Sequence, residues 1–186
     1  MPFSVFGLYA RQPVLPWLGS APGALRRKSE NGILKTNNPE YRDQMPKLDD
    51  IIAEMADCDR QERIDLLLDY ARALPPLPER LEAHKDASHR VEECQSPVYL
   101  FVELKGDQVE LFADAPIEAP TVRGFVSMLL KGLEDASVED VLSVPNDLVT
   151  QCGLSETLGM LRVRGLGGVL RRIKSEVTRA AIERAS

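Results

Sequence analysis

The sequence is poor in the residues that build metal centres and disulfide frameworks. Its 186 residues include three cysteines and two histidines. Cys58, Cys94 and Cys152 are widely separated, and none has a second cysteine at the short spacing of structural zinc sites. An odd, small number of cysteines also argues against a secreted disulfide scaffold. We therefore expect no metal site and a reducing, cytoplasm-like compartment.

Positive charge and long apolar runs are also scarce. The chain has 23 Lys and Arg against 29 Asp and Glu, for a net charge of −6. Nucleic-acid binding relies on clustered basic residues that neutralise phosphates, so it is not expected here. No stretch approaches the roughly 18–20 apolar residues that span a bilayer, so no membrane partner is expected. The length and the 44% hydrophobic content predict one globular domain.

Residues 1–44 differ in composition from the rest of the chain. They contain five prolines, and their six basic residues outnumber their three acidic ones, whereas residues 45–186 carry a net charge of −9. We favour a disordered extension or an upstream start-site artefact, with translation beginning near Met45. Organelle targeting is the alternative, although a transit peptide is usually amphipathic and richer in serine. The folded domain is expected at 45–186.

The first part of that domain is predicted to be helical. Apolar residues recur at helical spacing in two consecutive segments after Pro46, and Asp59 is suited to cap the second one. This helix must end by Leu74, because three prolines occupy the next four positions. Residues 75–96 are polar, and their apolar residues follow neither the spacing of a helix nor that of a strand. This composition predicts a long loop.

A β-hairpin and more helices are predicted beyond this loop. Segments 97–104 and 108–113 are predicted to be strands, because apolar and polar residues alternate along them. Lys105-Gly106-Asp107 would form the turn between them, as in a hairpin. Further helices are predicted at 120–133, 138–143, 146–152 and 164–184. Because helices dominate and βαβ alternation is absent, the expected class is α+β, with an antiparallel sheet flanked by helices.

Cys94 lies where a charged stretch meets the most strand-like segment of the chain, 98–102. A loop anchored by a strand often presents reactive groups, yet the commonest fate of a free cysteine is to be a small buried hydrophobe. Glu92 and Glu93 are expected to raise the pKa of its thiol, and Arg90 and loop amides to lower it. On the residues alone, both interpretations stay open.

Other candidate groups have simpler interpretations. His89 could serve a Cys94 nucleophile as a base only if a cysteine hydrolase were present, and no orienting partner or oxyanion hole is evident. Cys58 and Cys152 are interpreted as structural. The glycines of 165–168 lack the spacing of a phosphate loop, so close helix packing is the preferred explanation. The basic run formed by Arg171, Arg172 and Lys174 predicts a solvated face or, alternatively, a docking patch.

Three stretches of sequence carry a more specific signal when they are taken together. They are VEECQSPVY at 91–99, ADAPIEAPTVRGF at 113–125 and RVRGLGGVLRRIK at 162–174. In this order and spacing they resemble the SufE family, the sulfur-accepting partners of cysteine desulfurases in iron–sulfur cluster assembly. The family patterns are V-x-G-C-Q-S-x-V-W, I-V-[RK]-G-L and R-x-x-G-L-x-x-M-[LI]-x-x-I-[KR]. This chain departs from them at Glu93, Tyr99 and Val169, where the family has glycine, tryptophan and methionine.

The resemblance implies a SufE/IscU-like fold and a role for each matching residue. Cys94 would carry sulfur as a persulfide, within a loop that shields it and swings outward. Arg123, Asp114, Gln95 and Ser96 would support it or dock a partner.

The partners implied are a SufS-like cysteine desulfurase, which this chain would activate, and a downstream iron–sulfur scaffold. Pyridoxal phosphate would belong to the desulfurase, and no cofactor would be bound on this chain. The alternative is an IscU-type scaffold, which shares the fold but needs several converging ligands.

Overall fold

A computed structural model describes residues 46–185, so the predictions for residues 1–44 lie outside the described residues. The elements follow one another as α1 (Pro46–Asp57), α2 (Arg60–Ala73), α3 (Glu79–Glu82), a 3-10 turn (Ala87–His89), β1 (Tyr99–Lys105), β2 (Gln108–Asp114), α4 (Pro120–Gly132), α5 (Val138–Ser143), α6 (Leu148–Gln151), α7 (Leu154–Thr157) and α8 (Met160–Ala185). The α+β class is confirmed, with an antiparallel β1–β2 hairpin among helices.

Local capping signals set the start and end of α2. The Asp59 side chain accepts hydrogen bonds from the amides of Gln61 and Glu62, and the Glu62 carboxylate accepts one from the Asp59 amide. This capping box satisfies amides that have no partner within the helix. Leu74 ends the helix, as predicted. The expected long loop at 75–96 contains two short helical turns, α3 and the 3-10 turn.

Helices α2 and α4 approach each other closely at Gly124. A Cβ atom at Gly124 would overlap the carbonyl oxygen of Leu67, so only glycine permits this spacing. Helices α4 and α1 also approach each other closely, since a Cβ added to Gly132 would lie 3.2 Å from Cβ and 3.3 Å from Cα of Leu48. These contacts set α4 at the centre of the core, where Phe125 is fully buried.

The hairpin pairs Tyr99 with Asp114 at one end and Lys105 with Gln108 at the other. Gly106 takes a φ of 62° in the turn, a conformation that glycine adopts without strain. Of the three residues of β2 that the alternation places on one side, Val109 and Ala113 are buried and Leu111 is partly buried. The first strand begins at Tyr99 rather than at residue 97.

Helix α8 lies against β1 and α5. The apolar residues that recur at helical spacing along it are all buried: Leu166, Val169, Leu170, Ile173 and Val177. The helix begins at Met160, four residues earlier than expected. Gly153 takes a φ of 65° between α6 and α7. The short helix α7 was not predicted.

Candidate functional site

Cys94 lies in a loop that is closed at its base by backbone hydrogen bonds. The Val91 amide donates to the Val98 carbonyl at 2.9 Å, and Arg90 forms an isolated antiparallel bridge with Tyr99. The Cys94 amide donates back to the Val91 carbonyl at 3.2 Å. Because the Val91 and Val98 side chains are fully buried, the core holds both ends of this 91–98 loop.

The loop presents polar residues to solvent and turns its thiol inward. Gln95 and Glu93 are exposed and Ser96 is partly buried, whereas Cys94 is only 4% exposed to solvent. The flanking residues therefore lie at the surface, as expected. The cysteine between them is buried.

Two glycines of α8 form the floor beneath the loop. A Cβ atom added to Gly165 would lie 3.7 Å from both Cα and Sγ of Cys94, and one added to Gly168 would lie 2.6 Å from Cβ of Glu93. The close packing predicted for the glycines of α8 is present at Gly165 and Gly168, and the element packed against them is the cysteine loop.

Burial is the largest influence on the Cys94 thiol, and it raises the pKa. A hydrogen bond from the Ser96 backbone and the positive charge of Arg90 act in the opposite direction, as predicted. The carboxylates of Glu92 and Glu93 are not among the causes of this pKa shift. In the closed loop the thiol is therefore protonated at neutral pH.

His89 is engaged by other groups. Its ring stacks on Phe101 with the centroids 4.4 Å apart, and Nδ1 lies 3.1 Å from the Asp86 carboxylate. Hydrogen bonds lower the pKa of Asp86 to about 2, and the bond from Ser88 has a larger effect than the one from His89. The groups that act on the Cys94 thiol are Ser96 and Arg90. The structure thus supplies no Cys94–His89 pair.

Asp114 anchors the segment that leads into the loop. It ends β2 opposite Tyr99, and its carboxylate accepts a hydrogen bond from Lys85 at 3.1 Å. Lys85 also pairs with Glu82. A contact of Asp114 with a partner stays a prediction.

Arg123 holds backbone rather than the cysteine loop. Its guanidinium donates to the carbonyls of Ala71, Leu74 and Ala115. It thereby fastens the end of α2 to the connection between β2 and α4. Its expected role near the cysteine loop or at the partner surface stays a prediction.

The basic run on α8 divides into residues with different environments. Arg171 is exposed, as a solvated face requires. Arg172 is partly buried, donates to the Ser88 carbonyl just before the loop, and pairs with Glu176 at 2.9 Å. Lys174 donates to the carbonyl of Val144, and burial lowers its pKa. The prediction of a solvated face therefore holds for Arg171 and is wrong for Arg172 and Lys174, and the alternative of a docking patch stays a prediction.

Arg63 is a buried cation that the sequence reasoning missed. Its guanidinium donates to Thr157 Oγ1 at 2.9 Å and to backbone carbonyls that include those of Met55, Cys58 and Gly153. It joins α1 and α2 to the α6–α7 turn. Its position four residues before buried Leu67 placed it on the apolar face of α2, and this was the available signal.

The other two cysteines have structural environments. Cys152 is fully buried, and burial raises the pKa of its thiol to about 12. Cys58 is partly buried between α1 and α2. Across residues 46–185, no three His, Cys, Asp or Glu side chains are grouped so that they could hold a metal ion. In the same part of the chain, no helix combines the length and apolarity needed to cross a membrane.

Comparison with known proteins places this site in a family. Residues 49–177 match the SufE model, described as an Fe-S metabolism associated domain. A SufE-like protein of Mycobacterium tuberculosis is 40% identical over 134 residues, which are 72% of this chain and 92% of that protein. The cysteine desulfuration protein SufE of Plasmodium falciparum is 31% identical over 96 residues, 50% of this chain and 39% of that protein.

The fold also has a solved counterpart. The solution structure of a hypothetical protein from Thermus thermophilus matches with a TM-score of 0.65 and 36% identity, and the match covers 74% of this chain and 97% of that one. The family model covers most of the described residues, including the cysteine loop and its α8 floor, and on this basis the chain belongs to the SufE family.

Proposed function

We propose that this protein accepts sulfur from a cysteine desulfurase onto Cys94 and relays it to iron–sulfur cluster assembly. The observation that carries the proposal is the placement of Cys94. It is a nearly buried thiol at the turn of a surface loop, and both ends of that loop are held by the core. A sulfur carrier needs this combination, because a persulfide must be shielded between two encounters and reachable during each.

The transfer step is a thiol–disulfide type of exchange. The Cys94 thiolate attacks the terminal sulfur of a persulfide held on the desulfurase cysteine. A bond forms between Cys94 Sγ and that sulfur, the sulfur–sulfur bond on the desulfurase breaks, and the electron pair leaves with the desulfurase thiolate. Cys94 then carries the added sulfur as a persulfide, and no external oxidant or reductant is needed.

The loop residues support this step in different ways. Burial holds the Cys94 thiol protonated in the closed loop, so the proton must leave when the loop opens. In the closed loop the Ser96 backbone and Arg90 already oppose this effect of burial on the thiol pKa. Exposed Gln95 lies beside the sulfur-carrying position, where a partner makes contact. Asp114, which ends β2 opposite Tyr99, and Arg123, which fastens the end of α2, are the further docking candidates.

The cofactor of this chemistry belongs to the partner. A SufS-like desulfurase uses pyridoxal phosphate to release sulfur from free cysteine, and this chain accepts the sulfur without a bound cofactor. By removing the persulfide it also activates the desulfurase. We place this exchange in the cytoplasm.

Desulfurase turnover tests the proposal. Wild-type protein should accelerate alanine production by a SufS-like desulfurase supplied with cysteine, and Cys94→Ser should not. Cys58→Ser and Cys152→Ser serve as matched controls that keep the stimulation. Equal stimulation by Cys94→Ser and wild-type protein contradicts the proposal.

The IscU-type scaffold alternative needs converging ligands. Among the described residues no such group is present, and Cys152 is buried in the core. Anaerobic reconstitution of a stoichiometric, coloured cluster on this chain would revive that alternative.

A further inference from the structure

The side chain of Glu93 rests on α8 at a position that has no side chain of its own. A Cβ atom added to Gly168 would lie 2.6 Å from Cβ of Glu93, 3.3 Å from its Cγ and 3.5 Å from its Cδ. Carbon atoms in contact are separated by about 3.5–4 Å. The stem of Glu93 therefore occupies the space that a methyl group would fill, and this contact requires glycine at 168.

Gly168 lies between two other residues of α8 that contact the segment 88–94. One turn earlier, a Cβ at Gly165 would make an ordinary contact of 3.7 Å with Cys94. One turn later, Arg172 donates to the carbonyl of Ser88. Residues 165, 168 and 172 share one face of the helix because of their spacing. Of the two glycines on that face, Gly168 is the one that admits no methyl group.

We propose that Glu93 and Gly168 form a latch that positions Cys94. Seating of the Glu93 stem on Gly168 keeps the 91–98 loop closed with Cys94 turned inward, and the latch separates before the Cys94 sulfur meets a reactant. Glu93 acts here as a positioning residue. Only the consequence for sulfur acceptance rests on the proposed function.

Movement of Glu93 and movement of Cys94 are coupled through the backbone. Glu93 and Cys94 are adjacent, and Cys94 closes its turn through the Val91 carbonyl. Lifting the Glu93 Cβ from α8 therefore carries Cys94 away from Gly165. The base of the loop stays in place, because Val91 and Val98 are fully buried. The movement is confined to the part of the loop that holds the thiol.

Alkylation of the native full chain by iodoacetamide, resolved by mass spectrometry for each cysteine, tests the latch. In Gly168→Ala the alkylation rate of Cys94 should rise about tenfold or more, because the Glu93 Cβ is fixed to the backbone and no rotamer relieves the overlap. The midpoint of its pH profile should fall toward about 8.5, the ordinary thiol value. Cys152 should remain unreacted.

Two controls separate the latch from a general effect of alanine. Gly165→Ala adds the same methyl group to the same helix, and it should leave the Cys94 rate within about twofold of wild type, since an ordinary contact causes no overpacking. Glu93→Gly removes the clashing Cβ, so adding Gly168→Ala to it should change the rate little. Glu93→Ala keeps that Cβ, so Gly168→Ala should still accelerate alkylation in this background.

Several results overturn the latch. The first is an unchanged Cys94 alkylation rate in Gly168→Ala. The second is an equal increase in that rate when Gly168→Ala is added to Glu93→Ala and to Glu93→Gly. The third is alkylation of Cys152 in parallel with Cys94, which indicates general unfolding. If Gly168→Ala does not fold, Glu93→Gly alone must still raise the Cys94 rate above wild type, and an unchanged rate overturns the proposal. Because alkylation involves no sulfur transfer, failure of the latch is distinguishable from failure of the proposed function.

Discussion

The Val91 amide donates a hydrogen bond to the Val98 carbonyl at 2.9 Å, and both side chains are fully buried. This pair makes the cysteine loop a closed unit whose ends belong to the core. Cys94, in the middle of the loop, rests on Gly165 of α8. Movement of the thiol therefore needs separation from α8 and no rearrangement of the hairpin that follows.

Arg172 is expected to stabilise the approach to this loop. Arg172→Met removes the hydrogen bond to Ser88 and the pairing with Glu176, and it should lower the free energy of unfolding by about 1–2 kcal/mol. Urea denaturation measures this as a lower midpoint with an unchanged slope. Arg171→Met, one residue earlier and exposed, is the matched control and should stay within about 0.5 kcal/mol of wild type. Equal effects of the two substitutions contradict the assignment.

Arg63 should contribute more to stability than Arg172. Arg63→Met leaves the Thr157 hydroxyl and several buried carbonyls without their donor, at an expected cost of about 3 kcal/mol in the free energy of unfolding. Arg60→Met, in the exposed first turn of the same helix, should cost less than about 0.5 kcal/mol. Thermal or urea unfolding compares the two variants. A buried polar group left without a hydrogen bond costs about 1–3 kcal/mol. A loss below about 1 kcal/mol for Arg63→Met would therefore show that water replaces the guanidinium.

The raised pKa of the buried Cys152 thiol should make the protein less stable in alkaline solution. Its folded pKa of about 12 lies above the unfolded value of about 8.5. Above the unfolded pKa the unfolded chain loses the proton first, so stability is fully present below about pH 8.5 and declines as the pH rises toward the folded pKa.

The slope of the free energy of unfolding against pH measures this effect. Between about pH 9 and 10, Cys152→Ala should flatten the decline by up to about 1.4 kcal/mol per pH unit. The less buried Cys58 gives a control, since Cys58→Ala should change the slope less. An unchanged slope in Cys152→Ala shows that the thiol is not a source of the alkaline sensitivity.

Local chemistry explains why much of the fold was predictable. The Asp59 capping box, the prolines after Leu74 and Gly106 in the hairpin turn act over a few residues, and the structure has each of them as predicted. Helix α5 has its predicted bounds, 138–143, since Ser137 begins it with a capping box. The short turns within 75–96 and the helix α7 lack the repeated apolar spacing that reveals a longer helix.

The site depends on contacts between distant parts of the chain. With Cys94 turned inward, the loop lies against Gly165 and Gly168 of α8, and sequence spacing alone did not connect these glycines to the loop. Arg172 belongs to a run that looks uniformly solvated, yet it binds the Ser88 carbonyl. The position of Cys94 at a loop–strand junction was predictable from the residues, whereas its burial was one of two interpretations that they left open.

The central claim is that Cys94 receives sulfur, and peptide mass spectrometry after incubation with a SufS-like desulfurase and cysteine tests it most directly. The account predicts a gain equal to the mass of one sulfur atom on the peptide that contains Cys94. The peptides of Cys58 and Cys152 should be unchanged, and the gain should be absent in Cys94→Ser. Sulfur on another cysteine, or no gain on Cys94 while the desulfurase turns over, contradicts the account.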